Sequence, residues 1–285
     1  MKIIEILGDP KVKYKKVIEK IICKELSISK EEFFKNYDTN IDENKYNKIM
    51  NMYYEYQEGK KPLEYILWYV EFMWLKFKVN TDTLIPRPET EYMIQAINEY
   101  IQKEKKDVNI IDVWTWSWVL WISSSYHNKK YVNEVLLMDI SEKALDIAKQ
   151  NYNKIINTTK NLNIKKSNLL EYFIQNLKKY DNKENIIIGN LPYIPDTTFD
   201  SDVEDNVKLR EPRIAFVWWD DWLDLYRQMF AQIINIGIDK INFTMFLEMM
   251  TDQIDILRKE YWDIFRFEEI KTFHFNIKIL KVTKV

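Results

Sequence analysis

Apolar positions over residues 1–62 recur at helical spacing. In the stretch 11–26, Val12, Val17, Ile18, Ile21 and Ile22 fall close to a 3.6-residue period and predict a first helix. Ser29 stands three residues ahead of Glu32, the arrangement of a capping box, and predicts a second. Residues 42–60 predict a third, ending near Gly59 ahead of Pro62. The pattern then changes. Residues 64–80 are rich in β-branched and aromatic side chains and predict a strand pair. From residue 85 onward strand-like and helix-like runs alternate. The helices expected are 88–104 and 141–155; the strands expected are 108–113, 134–140, 186–190 and 241–249, with two late runs, 265–273 and 275–283, on either side of His274. Such alternation predicts an α/β domain with a largely parallel sheet covered on both faces and an antiparallel edge. A boundary near residue 84 divides the chain into a helical unit with its hairpin, 1–84, and an α/β unit, 85–285.

A hydrophobic share of 46% beside 30% charged residues can bury a core, which excludes a disordered tail or a rod. Net charge is −2, whereas chains that live on phosphate contacts are usually basic. Cys23 is the single cysteine and can form no internal disulfide, favouring a reducing compartment. Neither a signal peptide nor a long uncharged apolar span is visible, so a cytoplasmic protein is expected. One ratio is anomalous. The chain has 4 glycines and 10 tryptophans, where ordinary usage gives roughly 20 glycines in this length.

Three constellations carry chemistry. In Asp112-Val113-Trp114-Thr115-Trp116-Ser117-Trp118 the tryptophans alternate like one face of a strand. The position argues otherwise: a strand ending at Asp112 should turn here into a helix, where nucleotide-binding folds place a glycine-rich loop of the same spacing. Asp139 ends the next strand about 20 residues on, where an acidic side chain takes a ribose hydroxyl pair. Asn190-Leu191-Pro192-Tyr193 follows an apolar strand at its C-terminal edge. The Asn190 amide oxygen and the Leu191 carbonyl suit the two N–H groups of a planar –NH2, with Tyr193 against its plane. Turn formation explains Asn and Pro there equally well. Residues 84–94 read as a helix start, with prolines at 86 and 88 and Glu89 and Glu91 in the first turn. Asn168 with Leu169 is a further loop candidate. Cys23, His127 and His274 have no evident partners and read as structural.

Taken together, IPRPETE at 85–91, the Asp-ended strands, GNLPYIP at 189–195 and REPRIAF at 210–216 resemble the peptide chain release factor glutamine N5-methyltransferases, the PrmC/HemK family. The likeness runs over nearly the whole chain. It implies a Rossmann-like, seven-stranded class I methyltransferase domain behind a small helical N-terminal domain that binds release factor. It implies S-adenosylmethionine as cofactor, held by Trp114, Thr115, Trp116, Ser117, Trp118, Asp139, Asn168, Leu169 and Asn190. It implies Asn190, Leu191, Pro192 and Tyr193 as the catalytic turn, a class 1 release factor as partner and substrate through its Gly-Gly-Gln loop, a monomer, and neither membrane nor nucleic-acid contact. Leu191 departs from the family's Asn-Pro-Pro-Tyr. Asn-Leu-Pro-Tyr also resembles the ribosomal RNA adenine dimethyltransferases, leaving an adenine N6-methyltransferase as an alternative.

The family also accounts for the glycine deficit. Trp68, Trp74, Trp114, Trp116, Trp118, Trp218, Trp219, Trp222 and Trp262 stand where the family commonly has glycine, and Trp121 where it has a small residue. One codon reassignment, UGA read as tryptophan where the source reads glycine, joins all of them. Taken literally, three indoles in the loop would crowd the cofactor cleft, since glycine there admits positive φ and close backbone approach. A non-catalytic binding protein is then the remaining alternative.

Overall fold

The structure, a computed structural model, describes all residues except 116–117, 157–161, 182, 204, 218–220, 271 and 273–275, and the side chains of 196, 197, 202, 205 and 206. Helices Ile3–Gly8, Lys15–Leu26, Lys30–Lys35, Glu43–Gln57 and Leu63–Leu67 come first. Ser29 caps the third through the Glu32 N–H, and Glu32 returns the bond. Ile18, Ile21 and Ile22 face inward and join Ile6, Phe33, Ile49 and Tyr53 in a core of their own.

Strands β1 (Tyr69–Phe72) and β2 (Leu75–Lys78) form the expected hairpin, but residues 63–67 before it are helical. A short apolar run carries no decisive period, and Pro62 favours a helix start. Phe72 and Phe77 pack into the α/β unit.

The main sheet holds β3 (Val108–Val113), β4 (Val132–Asp139), β5 (Leu162–Lys166), β6 (Glu184–Gly189), β7 (Asn242–Met250), β8 (Phe265–Ile270) and β9 (Ile277–Lys284). Their order is β5-β4-β3-β6-β7-β9-β8. β3 to β7 run parallel, while β9 lies antiparallel to both β7 and β8. The composition of each strand follows its place. Central β3 is buried throughout, as a parallel strand covered on two faces must be. Edge β5, Leu-Asn-Ile-Lys-Lys, is only half-buried and too polar to stand out in the sequence.

Alternation along the strands divides the core in two. Ile111, Val113 and Ile187 pack with the helices Asp224–Ile236 and Thr251–Tyr261. Val108, Ile110, Ile186 and Ile188 pack on the other face with the helices Thr90–Glu104, Val119–His127 and Glu142–Ile155. The chain leaves β3 toward β4 and β5, and returns on its other side as β6 and β7. The order therefore reverses between β3 and β6. A crevice for ligands opens outside the carboxyl ends of strands at such a point.

Candidate active site

β3 ends in a loop, so the alternating tryptophans do not continue a strand. Trp114 has φ 70° and its N–H donates to the Met138 carbonyl at 2.8 Å. Thr115 Oγ1 donates to the same carbonyl at 3.2 Å. The helix Val119–His127 begins directly after Trp118. This is the strand–loop–helix the sequence predicts; Trp116 and Ser117 lie outside the described residues.

Asp139 closes β4. One oxygen accepts from the Ser141 N–H at 2.7 Å, while Oδ2 is buried without a partner among the described residues. Burial pushes its carboxyl up to about 7, with hydrogen bonds from Ser141, Ile140 and Thr115 N–H groups working the other way. Both Asp112 oxygens are likewise buried and unpartnered among those residues. Burial, and then the nearby Asp139, hold Asp112 well above the usual carboxylate range. Next along the edge, the Ser167 N–H donates to the Asp139 carbonyl at 3.0 Å and Ser167 Oγ to the Leu169 carbonyl at 3.2 Å. Leu169 is buried with φ 48°, and the half-buried Asn168 donates to Glu171 at 3.2 Å. The ends of β3, β4 and β5 thus bring the described cofactor candidates to one edge.

The turn 190–193 stands beside them after β6, across the switch point from Trp114. Several side chains from β7 and its neighbours pin it. Tyr193 Oη donates to Glu248 Oε1 at 3.1 Å, and Thr90 Oγ1 donates to Oε2 of the same carboxylate at 3.2 Å. Tyr226 Oη donates to the Glu248 carbonyl. Gln253 Nε2 donates to the Tyr193 carbonyl at 3.3 Å and to the Trp222 carbonyl at 3.1 Å. The Ile194 N–H donates to the Phe216 carbonyl at 3.0 Å. Leu191 is buried, whereas Asn190 and Tyr193 are partly exposed.

Sequence reasoning missed Glu248, Tyr226 and Gln253. Only Glu248 leaves a signal, a charge inside the apolar strand Asn242–Met250. The stretches 85–91 and 210–216 meet through one buried carboxylate. Glu211 accepts from the Ile85 N–H at 3.0 Å and from Arg87 Nη2 at 2.7 Å, and the Arg87 guanidinium lies 5.6 Å over the Phe216 ring.

The tryptophans have unusual surroundings. Trp68 and Trp74 join Trp114 at positive φ, 63° and 65°. Trp68 follows the helix Leu63–Leu67, and Trp74 is the second of two loop residues between Phe72 and Leu75. Met73 before it has φ 46°, so the loop has positive φ at both central residues, a geometry dominated by Asn-Gly. Trp74 is 98% exposed. Trp118 and Trp121 are wholly buried, and their indole N–H groups have no partner among the described residues. Trp218 and Trp219 fall outside those residues.

The seven-stranded sheet with its switch-point site is the architecture of a class I methyltransferase. The catalytic domain of human METTL16 in complex with MAT2A 3'UTR hairpin 6 superposes with a TM-score of 0.55 at 10% identity, over 86% of this chain and 83% of that one. The human methyltransferase 10 domain containing protein does so at 0.53 and 12% identity, over 75% and 90%. No family model matches the chain. Sequence relatives go further. The release factor glutamine methyltransferase of Mycoplasma mycoides is 35% identical over 229 residues, 74% of this chain and 77% of that one. The one from Clostridium acetobutylicum is 34% identical over 197 residues, 68% of this chain and 65% of its own length. The chain belongs to the release factor glutamine methyltransferase family.

Proposed function

We propose that the chain transfers a methyl group from S-adenosylmethionine to the side-chain nitrogen of the glutamine in the Gly-Gly-Gln loop of class 1 release factors. The observation that carries this reading is the turn 190–193, hydrogen-bonded by Glu248 and Gln253 at the switch point, with the Asp139 carboxylate on the same strand edge.

An amide nitrogen is a poor nucleophile because its lone pair is delocalised into the carbonyl. The Asn190 Oδ1 and the Leu191 carbonyl would accept its two N–H bonds and present the lone pair in line with the methyl. Positioning of this kind contributes up to about 7–11 kcal/mol in ideal cases. The same acceptors favour the positive charge that grows on nitrogen before its proton leaves. Tyr193 would pack against the amide plane, and Pro192 keeps the turn stiff. S-adenosylmethionine supplies an electrophilic methyl on a sulfonium. Residues 114–118, Asp139, Asn168, Leu169 and Asn190 would hold it.

The acceptor chemistry fits that cofactor: Asp139 Oδ2 is an acceptor awaiting a hydroxyl donor. The space does not. Asp139 is 1% exposed, and Trp114 and Trp118 are packed into the core on either side of the sheet. We read the tryptophans as glycine in the working protein. Positive φ at 68, 74 and 114, partnerless indole N–H groups at 118 and 121, and the composition all support glycine there. Mass spectrometry of the protein from its source cells decides this, and tryptophan at these positions overturns it.

We assign release-factor binding to the helical unit with its hairpin, 1–84, and expect a cytoplasmic monomer. Among the described residues no helix is long and apolar enough to cross a membrane. A transfer assay should offer the glycine version a class 1 release factor and RNA separately. Methyl on the release factor, lost in Asn190→Ala, is expected. Methyl on RNA alone would instead support the adenine N6-methyltransferase, and full activity in Asn190→Ala would refute the role of the turn.

A further inference from the structure

Gln253 lies in the first turn of the helix Thr251–Tyr261 and is wholly buried. Its Oε1 accepts from the Met250 N–H at 2.8 Å. A backbone N–H only donates, so this bond fixes which end of the amide is which. Nε2 is turned the other way, where it donates to the Tyr193 carbonyl at 3.3 Å and to the Trp222 carbonyl at 3.1 Å. One side chain thus joins the start of its own helix, the turn after β6 and the segment ahead of the helix Asp224–Ile236. Tyr193 is held twice from the stretch 248–253. Its hydroxyl donates to Glu248 Oε1 at 3.1 Å, and its carbonyl accepts from Gln253.

We propose that Gln253 is a positioning residue for methyl transfer: it occupies the Tyr193 carbonyl and sets the turn 190–193 against residue 222. The proposal rests on that turn as the place where the substrate –NH2 is held. Such a group has two N–H donors, and every backbone carbonyl of the turn competes for them. With the Tyr193 carbonyl occupied by Gln253, the Leu191 carbonyl and Asn190 Oδ1 are favoured. The Ile194 N–H donates to the Phe216 carbonyl at 3.0 Å, so consecutive residues of this stretch are tied to residues 222 and 216. The ring follows the backbone. With hydroxyl and carbonyl both fixed, Tyr193 keeps one tilt against the amide plane.

Without the two Nε2 donors both carbonyls lose their partner in the interior, and they shift toward other donors. The substrate –NH2 is one such donor for the Tyr193 carbonyl. A misplacement of about 1 Å costs roughly 100-fold in rate. That loss belongs to the transfer step, because the candidate cofactor residues on β4 and beyond β5 lie across the switch point. Two substitutions separate this role from capping the helix. Gln253→Glu keeps the length and the acceptor for the Met250 N–H, but turns an acceptor toward both carbonyls. Gln253→Met keeps the length and lacks donor and acceptor alike.

Residue 222 offers Gln253 its backbone carbonyl, so the bond is available to the glycine version as well. The test is steady-state methyl transfer by that version and by its Gln253→Met and Gln253→Glu variants, with a class 1 release factor and RNA offered separately. Calorimetric S-adenosylmethionine binding counts the competent chains in each preparation, so unfolded protein does not register as a lower kcat. Both variants are expected to lose roughly 10–100-fold in kcat with KM for S-adenosylmethionine unchanged. Gln253→Met decides through the same split if Gln253→Glu does not fold. An unchanged kcat in Gln253→Met, a loss that Gln253→Glu does not share, or a loss that falls on KM for S-adenosylmethionine would overturn the proposal. Failure of the release-factor reading looks different: methyl goes to RNA instead, and the same kcat comparison is then made on RNA. Transfer to neither overturns both.

Discussion

Asp112, Asp139 and Glu248 are buried acids within a short reach of one strand edge, and their pKa directions agree. Burial raises Asp139 from an ordinary 3.8 to about 7, Glu248 from 4.5 to about 7, and Asp112 well above 3.8. Between the ordinary values and about 7 the folded chain holds protons that the unfolded chain has released. Stability is therefore fullest below the ordinary values and is lost as pH rises through about 7. Asp139 and Glu248 each contribute on the order of 3–4 kcal/mol to the swing, and Asp112 works in the same direction. Tm is expected to fall between about pH 5 and about 8, and calorimetric scans across that range that stay flat or rise would contradict this burial. Hydroxyl donors at Asp139 Oδ2 would reverse its share, so a bound ribose should flatten the fall. Asp139 was readable in the sequence because spacing after a strand end singles it out. Glu248 was not, because its partners Tyr193 and Thr90 meet it only across the sheet.

The hairpin β1–β2 shows how an element records what its turn needs. A two-residue loop with positive φ at Met73 and Trp74 twists with the strands, but a side chain in the left-handed region costs roughly 1–2 kcal/mol. Trp74→Gly is expected to stabilise the chain by about 1 kcal/mol, since the exposed indole loses little packing. A lower unfolding midpoint in urea would count against it. The clamp between residues 85–91 and 210–216 works at the same scale. Glu211→Ala leaves the Ile85 N–H and Arg87 without their acceptor, and a loss of about 2–3 kcal/mol is expected in the same measurement. Strand β3 and the capped helices were readable because burial on both faces and paired caps leave strong patterns. The helix Leu63–Leu67 was misread as strand, and β5 was not singled out: the first is a short apolar run without a period, the second an edge whose polar side chains face water.

At the scale of the molecule, the reversal of strand order between β3 and β6 gathers Trp114 and Thr115, Asp139 and the turn 190–193 onto one rim. A largely parallel sheet with an antiparallel edge was readable from alternation, its seven strands only from the family likeness, and the site from where strands end. The tryptophans were readable as misplaced only through composition and family likeness; positive backbone φ at 68, 74 and 114 gives the physical reason. The most direct measurement is calorimetry of S-adenosylmethionine binding to two synthetic chains, one with the ten tryptophans and one with glycine at those positions. Binding by the glycine chain alone is the expected result. Equal binding by the tryptophan chain would contradict the crowded cleft, and binding by neither would contradict the methyltransferase reading itself.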